Sequence, residues 1–248
     1  MTYSIVARDP DTGFLGVAVA SRFFAVGALV PHVRANAAVA TQAFVNPLWG
    51  VEGVSRLAAG EGAEAVLADL AARDGGQAQR QAHMIDARGA IAAHTGAECV
   101  DWAGHVSAEG VSVAGNMLAG PQVIAAALEA YQDESALPFA ERLLAAMEAG
   151  EAAGGDKRGR QSAALRIHRG LDYPWLDLRA DDHADPLAEL RRLLEVAGER
   201  FLFFADALAT PENFSGLADR AALDAAIAEG EEARRRAGRP SRSFATDA

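Results

Sequence analysis

The chain has little cysteine, no long apolar run and no excess of positive charge. Cys99 is the single cysteine among 248 residues, so no disulfide can form within the chain, and a cytoplasmic location is expected. No apolar run reaches the ~18 residues that a bilayer requires, and the first residues lack a signal-peptide pattern, so no membrane association is expected. The formal charge of −11 argues against nucleic acid, because phosphate backbones bind clustered Lys and Arg.

Several common catalytic motifs are also missing. The six histidines show neither the His-x-x-x-His nor the His-Glu-x-x-His spacing of zinc hydrolases. There is no Gly-x-Ser-x-Gly elbow, no phosphate loop and no Gly-x-Gly-x-x-Gly dinucleotide loop. Cys99 has no recognisable base and is interpreted as a packing residue. We therefore expect neither a metal nor a cofactor.

One acidic segment leaves an alternative open. Asp177, Asp181, Asp182, His183 and Asp185 lie close together in the sequence. Such oxygen-rich loops can hold a divalent cation, which would support metal-assisted hydrolysis. The same residues are typical of a solvated turn followed by the acidic N-cap of a helix, and we favour that second interpretation.

Hydrophobic periodicity predicts strands first, then helices and strands in alternation. Strands are predicted at 3–8, 14–22, 27–33, 35–43, 79–86, 90–95, 111–114, 161–168 and 173–179. Helices are predicted at 51–58, 65–71, 121–132, 138–149, 187–204 and 217–236. Residues 104–110 and 154–160 are interpreted as connections and 239–248 as a frayed tail. This order favours an α+β fold, a four-layer αββα sandwich at 1–209, followed by a helical extension at 210–248.

The start of the chain carries the strongest chemical signal. Thr2 follows the initiator methionine, and its small side chain is compatible with removal of Met1. The exposed threonine would then carry both a hydroxyl nucleophile and its own α-amine base. A terminal threonine on the first strand of a hairpin is how N-terminal-nucleophile (Ntn) hydrolases begin. Met-Thr is also an ordinary start of translation, so the motif alone does not establish this function.

Polar side chains at strand ends are the candidate substrate contacts. Each has a plain structural interpretation as well, as a turn or a solvated connector. The Gly-rich, charged segment 151–162 is of the same kind, because glycines admit a ligand and Arg binds carboxylates. The candidates are Gln42, Asn46, His94, Asn116, Asp156, Arg158, Gln161 and Ser162.

Several long segments together resemble the domain of unknown function 1028 family, which is generally placed in the Ntn-hydrolase superfamily. They are TYSIVARDPDTGFLGVAVASRFFAVGALVP, ATQAFVNP, AAHTGAECVDWAGH, GNMLAGP, AGGDKRGRQSAAL and DLRADDHADPLAELRRLL, in collinear order over about residues 2–205. The resemblance implies a proteasome-like sandwich with Thr2 as nucleophile. Proteasome-type relatives place a basic residue and an acid or hydroxyl beside the threonine, and here Ser21, Arg22 and Arg34 are the counterparts. The usual acid after the second strand is replaced by Ala20-Ser21-Arg22.

The expected function is hydrolysis of a C–N amide bond in a small polar substrate. Thr2 Oγ would attack while its amine takes the proton, with Arg22 or Arg34 keeping that amine neutral. A backbone N–H near residues 42–46 would stabilise the oxyanion. The alternative is a non-catalytic small-molecule-binding or assembly protein on the same scaffold. Ntn-type sandwiches often associate, so a homo-oligomer is expected, with the helices around 51–73 and 121–149 as candidate interfaces.

Overall fold

The computed structural model describes residues 2–245. Met1, whose removal the sequence predicts, and the last three residues of the tail lie outside the described residues. The chain divides into two compact units, Met1–Leu190 and Arg191–Ala248. No helix within the described range is long and apolar enough to cross a bilayer.

The first unit contains two antiparallel sheets. The larger sheet consists, in spatial order, of β10 (Leu176–Ala180), β9 (Ser162–His168), β2 (Leu15–Ser21), β1 (Thr2–Arg8), β8 (Val111–Asn116) and β7 (Gly104–Ala108). The smaller sheet consists of β3 (Pro31–Arg34), β4 (Ala37–Ala43), β5 (Arg80–Ile85) and β6 (Ile91–Thr95). Every pairing between these strands is antiparallel, so the predicted α+β class is confirmed.

Helices cover the outer face of each sheet. Helices α1 (Pro47–Ala58) and α2 (Ala63–Arg73) pack on the smaller sheet, and α3 (Gln122–Asp133) and α4 (Phe139–Ala152) pack on the larger one. Later in the chain follow α5 (Pro186–Val196), α6 (Leu202–Asp206) and α7 (Arg220–Arg236). The inner faces of the two sheets lie against each other, because β1 and β2 contact β4 and β5 contacts β8.

Strand β1 shows how alternate side chains enter two environments. The Tyr3 side chain reaches α4, where its hydroxyl donates to the Met147 carbonyl oxygen at 3.0 Å. Val6 belongs to the apolar cluster between the sheets. Because side chains of a strand alternate between faces, Thr2 and Ser4 share the face of Val6. The nucleophile candidate therefore lies in the space between the sheets.

The space between the sheets holds an apolar cluster and a polar cluster. The apolar cluster is formed by Val6, Leu15, Val17, Val19, Val26, Val30, Val33, Ala38, Ala40, Ile85 and Ala164. The polar cluster is formed by Thr2, Ser4, Ser21, Gln42, Gln81, His83, Ser112 and Asn116, all buried. Burial of polar groups is costly unless they are hydrogen-bonded, so the polar cluster must satisfy itself internally.

The prediction of one strand at 27–33 is wrong. A short 3₁₀ helix, Val26–Ala28, precedes β3, which begins only at Pro31. Ala25 has a left-handed backbone with φ of 52°, and the Val26 N–H donates to Ser162 Oγ at 3.1 Å. This loop is held by a side chain distant in sequence, which local hydrophobicity does not reveal.

Three other expectations need correction. Residues 104–110 include β7, an edge strand whose side chains are alternately more and less exposed, so its composition resembles that of a loop. Strand β10 begins at Leu176, three residues later than predicted. The predicted helix at 187–204 is interrupted by a π-helical turn, Ala197–Phe201, between α5 and α6. Hydrophobic periodicity alone does not register such an interruption.

Candidate active site

Thr2 lies at the end of β1 between two other strand ends. The sheet register pairs Thr2 with Ser21 on β2 and with Asn116 on β8. Thr2 Oγ1 is 3.2 Å from Ser21 Oγ, and Asn116 Nδ2 donates to the Thr2 carbonyl oxygen at 3.4 Å. All three residues are buried, with Thr2 7% exposed. The structure therefore brings together three of the residues that the sequence singled out.

The loop that follows Ser21 is braced by the charged segment at 151–162. Asp156 Oδ2 accepts from the Arg22 N–H at 2.8 Å. The Gln161 N–H donates to the Ser21 carbonyl oxygen at 3.0 Å, and Gln161 Oε1 accepts from Arg22 Nη1 at 3.2 Å. Ser162 Oγ donates to the Phe23 carbonyl oxygen at 2.5 Å. The sequence predicts these side chains as substrate contacts. In the structure they form hydrogen bonds within the protein and position the loop beside Thr2.

Arg158 lies in the same charged segment, and it contacts Asp156. Its backbone N–H donates to Asp156 Oδ1 at 2.8 Å, and its Nη2 lies 3.3 Å from Asp156 Oδ2. The Arg158 side chain is 40% exposed while that of Asp156 is 2% exposed. Arg158 gives the buried Asp156 carboxylate a cationic partner, which offsets part of the free-energy cost of burying its charge.

The structure does not bring Arg34 to Thr2. Arg34 pairs with Ala37 at the start of β4, whereas Gln42 lies at the other end of that strand. Five residues of strand span about 17 Å. Arg34 instead forms an exposed ion pair with Asp172 at 3.4 Å. It is therefore wrongly predicted as the group that tunes the Thr2 amine, and Arg22 is the better placed of the two.

Asn46 and His94 also lie apart from the polar cluster. Asn46 is the N-cap of α1, where its Oδ1 accepts from the Leu48 N–H at 3.0 Å. His94 pairs with Ala82, whose side chain packs among the helices of the smaller sheet, so His94 occupies the outer face. Its ring lies 5.4 Å from that of Trp49. Neither side chain belongs to the polar cluster around Thr2.

The polar cluster is a continuous chain of hydrogen bonds. The bonds of the Gln42 amide fix which group is the donor and which the acceptor along it. Gln42 Nε2 donates to the Ala114 carbonyl oxygen at 3.3 Å, which orients the amide with Oε1 towards Ser4. Ser4 Oγ therefore donates to Gln42 Oε1, at 2.7 Å. His83 Nε2, 2.8 Å from Ser4 Oγ, must then carry a proton, and Nδ1 must accept from Ser112 Oγ at 3.0 Å.

This direction excludes Ser4 as a nucleophile activated by His83. A base must have a free lone pair towards the hydroxyl, and here the ring nitrogen facing Ser4 is a donor. Burial lowers the pKa of His83 to about 3, so the ring stays neutral at ordinary pH. Both residues are fully buried as well. The Ser4–His83 pair is a structural element of the core.

The buried histidines predict acid sensitivity. The pKa of His83 falls from 6.5 to about 3 on folding, and burial lowers that of His168 to about 4. Between these values and pH 6.5 the unfolded chain binds protons that the folded chain does not, so stability is lost as pH falls below 6.5. His83 alone should lower the free energy of unfolding by about 2 kcal/mol between pH 6.5 and 5. Urea denaturation at both pH values measures it.

A substitution isolates the His83 contribution. His83→Gln removes the titrating group and should flatten this dependence by about 2 kcal/mol, even though it lowers stability at pH 7. His183→Gln, at an exposed loop residue, is the control and should keep the dependence of the parent. An equal slope in the parent and in His83→Gln would show that His83 does not carry this linkage.

Two cavities meet beside Thr2. The smaller, about 70 Å³, is lined by Thr2, Phe23, Val26, Leu29, Val30, Gln42, Ala43 and Val45. The larger is an open groove of about 410 Å³ lined by Ala43, Phe44, Gln79, Glu98, Cys99, Val100, Asn116 and Met117. Ala43 belongs to both, and Asn116 in the groove pairs with Thr2. A ligand placed over Thr2 would thus extend into two spaces of different size and polarity.

Strained backbone is concentrated around these cavities. The non-glycine residues with positive φ in the described chain are Ala25 at 52°, Ala43 at 68° and Met117 at 54°. Ala43 and Met117 line the cavities, and Ala25 precedes the lining residue Val26. Such conformations cost free energy and persist where tertiary contacts impose them, often at functional sites.

The cysteine in the groove is not a nucleophile candidate. Cys99 is half-buried, and its thiol donates to the Arg80 carbonyl oxygen at 3.3 Å. Burial raises the pKa of Cys99, so the unreactive thiol form is favoured at neutral pH. This agrees with its interpretation as a packing residue.

The acidic segment at 177–185 forms ion pairs and a helix cap. Asp181 pairs with Arg179, and Asp185 pairs with Arg160 at 2.8 Å. Asp185 Oδ1 also accepts from the Ala188 N–H in the first turn of α5. Across residues 2–245 no three His, Cys, Asp or Glu side chains are grouped to hold a metal ion. The described contacts of this segment are thus ion pairs and the cap of α5.

Sequence reasoning did not identify Gln81, His83 and Ser112 as members of the polar cluster. The available signal was their spacing: Gln81 and His83 alternate with apolar residues on β5, and Ser112 interrupts an apolar run on β8. Polar residues two apart inside a buried strand share one face. That pattern indicates a partner on an opposing layer, which a single strand does not identify.

The fold and the strand-end site define an α+β protein with a buried polar cluster that opens at Thr2, at the end of β1. The family model "Family of unknown function (DUF1028)" matches residues 2–190, and the chain belongs to this family. A crystal structure of protein SPO2555 from Silicibacter pomeroyi, of the same family, is similar at a TM-score of 0.80 and 34% identity. The match covers 88% of this chain and 99% of that one. No curated protein matches this chain.

Proposed function

We propose that the protein is an N-terminal-nucleophile amidohydrolase that cleaves a C–N amide bond of a small polar substrate through Thr2 after removal of Met1. The fold would then be a four-layer αββα sandwich of the Ntn-hydrolase type. The observation that carries the proposal is the position of Thr2. It lies at the end of a strand between two sheets, with Oγ1 3.2 Å from Ser21 Oγ and next to a cavity.

In the proposed reaction the Thr2 α-amine takes the proton of Oγ, directly or through one water, as Oγ attacks the amide carbonyl. The C–N bond breaks, the departing nitrogen receives that proton, and an acyl-threonine ester remains. Water hydrolyses the ester and restores the hydroxyl. Ser21 Oγ orients Thr2 Oγ1, and Arg22 lowers the pKa of the amine by adding positive charge nearby.

The oxyanion would be stabilised by a backbone N–H between residues 43 and 46. The Phe44 N–H donates to the Gln79 carbonyl oxygen at 3.2 Å and is excluded from this role. The left-handed conformation of Ala43 turns the chain at the border of both cavities, where a carbonyl oxygen would lie. Removal of one such donor typically lowers turnover by ~10²–10³-fold.

A non-catalytic small-molecule-binding or assembly protein is the second candidate. It is favoured by the uncharged hydrogen-bond partners of Thr2: the bonds of its side chain and carbonyl oxygen described above involve Ser21 and Asn116. A proteasome-like relay requires charged groups at that place. The same cavities would then bind a ligand without cleaving it. The expected homo-oligomer stays a prediction under either candidate.

Intact mass and a substrate panel test the proposal together. Mass spectrometry should show a chain that lacks Met1 in every active preparation. The processed protein should hydrolyse members of a panel of small amides, lactams and N-acyl amino acids. Retention of Met1 in an active preparation would contradict the mechanism, because the amine would then be part of a peptide bond. Ligand binding without cleavage would favour the second candidate.

A further inference from the structure

We propose that the cavity beside Thr2 is an acyl pocket for a short aliphatic group, so that the substrates are amides of small aliphatic acids. This inference rests on the proposed function for the cleavage step and deepens it by naming the substrate class. It has its own binding test.

The lining of the cavity is mostly apolar, and its polar side chains are those of Thr2 and Gln42. Phe23, Val26, Leu29, Val30 and Val45 supply its wall. No charged side chain is among the described residues that line it. Such a surface favours an aliphatic group over a carboxylate or an ammonium, because a charge would lose its hydration there without gaining a partner.

Gln42, the other polar lining residue, is committed elsewhere. Its Nε2 donates to Gln81 Oε1 at 2.9 Å and to the Ala114 carbonyl oxygen, and its Oε1 accepts from Ser4. Both amide protons are therefore engaged in the polar cluster. The cavity receives no hydrogen-bond donor from this side chain, which leaves Thr2 as its one reactive polar group.

The size of the cavity sets the length of the acyl group. An engineered apolar cavity of about 150 Å³ holds a benzene molecule. The cavity here, about 70 Å³, is about half that size. Its volume matches an aliphatic group of about two to four carbons, and a phenyl ring or a longer chain would extend beyond it.

The wall is held in place by hydrogen bonds from a distant segment. Ser162 Oγ accepts from the Val26 N–H, and Asp156 Oδ2 accepts from the Arg22 N–H. The Ala25 N–H donates to the Asp181 carbonyl oxygen at 3.0 Å. A wall fixed at three points does not widen easily, so the selection by chain length should be sharp.

The groove and the cavity beside Thr2 are suited to different halves of the substrate. In the proposed reaction the amine product leaves first, while the acyl group stays bonded to Thr2 Oγ until water releases it as a carboxylic acid. The larger, open groove of about 410 Å³ provides an exit for the amine, and Glu98 gives it polar character. The small apolar cavity retains the acyl group.

A chain-length series tests this inference. N-acetyl-, N-butyryl-, N-hexanoyl- and N-benzoylglycinamide are compared, with the released glycinamide measured by fluorescamine. We expect kcat/KM for the butyryl compound to exceed those for the hexanoyl and benzoyl compounds at least tenfold. Leu29→Ala should reduce the butyryl preference over hexanoyl at least fivefold, and Val45→Phe should lower the ratio of butyryl to acetyl turnover tenfold. Leu48→Ala, exposed and outside the cavity, should change neither ratio.

Binding to Thr2→Ala by calorimetry separates this inference from the proposed function. Thr2→Ala cannot form the acyl ester but keeps the cavity wall. Tighter binding of the butyryl than of the hexanoyl compound, reversed or equalised by Leu29→Ala, supports the acyl pocket even if no compound is cleaved. Equal binding of all four compounds, or no binding of any, overturns it, even if amides of another kind are hydrolysed.

Discussion

Thr2→Ala should abolish hydrolysis, with a loss of turnover of at least about 10³-fold. The substitution removes the attacking oxygen and keeps the α-amine, so no acyl ester can form. The fold should survive, because the variant loses one hydrogen bond to Ser21 Oγ, a net cost of about 1 kcal/mol. Steady-state kinetics on the best substrate of the panel measures the effect, with circular dichroism as the check on folding.

Thr2→Ser is the matched control. Serine keeps both the hydroxyl and the α-amine, and its small side chain is equally compatible with removal of Met1. We expect this variant to retain activity within about tenfold, with intact mass confirming equal processing of all three proteins. If Thr2→Ala and Thr2→Ser were equally active, Thr2 would not be the nucleophile. If both bound the substrate and neither the variants nor the parent cleaved it, the binding candidate would be preferred.

Gln81→Leu should be the most destabilising substitution in the polar cluster. The Gln81 side chain is fully buried and donates to Thr95 Oγ1 at 2.9 Å and to the Gly115 carbonyl oxygen at 2.8 Å. It accepts from Gln42 Nε2 at 2.9 Å and from Asn116 Nδ2 at 3.0 Å. Leucine would remove these four hydrogen bonds from the polar cluster, at a cost of about 3–5 kcal/mol. Urea denaturation at pH 7 measures this cost.

Gln79→Leu provides the comparison at an exposed glutamine two residues earlier. Its amide donates to Glu98 Oε2 at 3.1 Å on the surface, where water can replace the lost bond. We expect a change of less than about 0.5 kcal/mol. Gln81→Leu should also lower turnover if it still folds, because Asn116 loses one of its two anchors next to Thr2. Equal effects of the two substitutions would mean that the polar cluster contributes little to stability.

The fold was largely accessible from the sequence because its signals are local. Alternating apolar residues predict β1 and β2, and the Ala87-Arg88-Gly89 turn predicts the hairpin of β5 and β6. The sequence did not predict β7, because an edge strand is half-exposed and has the composition of a loop. Nor did it predict the 3₁₀ turn before β3, because its hydrogen bond to Ser162 joins residues 136 positions apart.

The site was accessible in part. Thr2 and Asn116 are polar residues at the ends of paired strands, so their proximity follows from the antiparallel register. Gln42 lies on the other sheet and reaches the cavity beside Thr2 only because the two sheets pack together. The prediction for Arg34 is wrong because Arg34 pairs with the start of β4, about 17 Å along the strand from Gln42. His94 does not join the polar cluster because neighbouring residues of a strand point to opposite faces of a sheet, and His94 lies on the outer face. Neither effect is visible until strands are paired.

The amino-acid sequence alone determines which chemical groups the chain carries and in what order. It places a hydroxyl at position 2, sets polar residues at defined positions of largely apolar strands, and provides no cysteine pair for a disulfide. Tertiary structure alone decides which of those residues meet. The packing of one sheet on the other makes His83 a donor towards Ser4 and removes it as a base. It also encloses a small apolar cavity beside Thr2, because side chains from separate strands and a distant loop have to converge to form one wall.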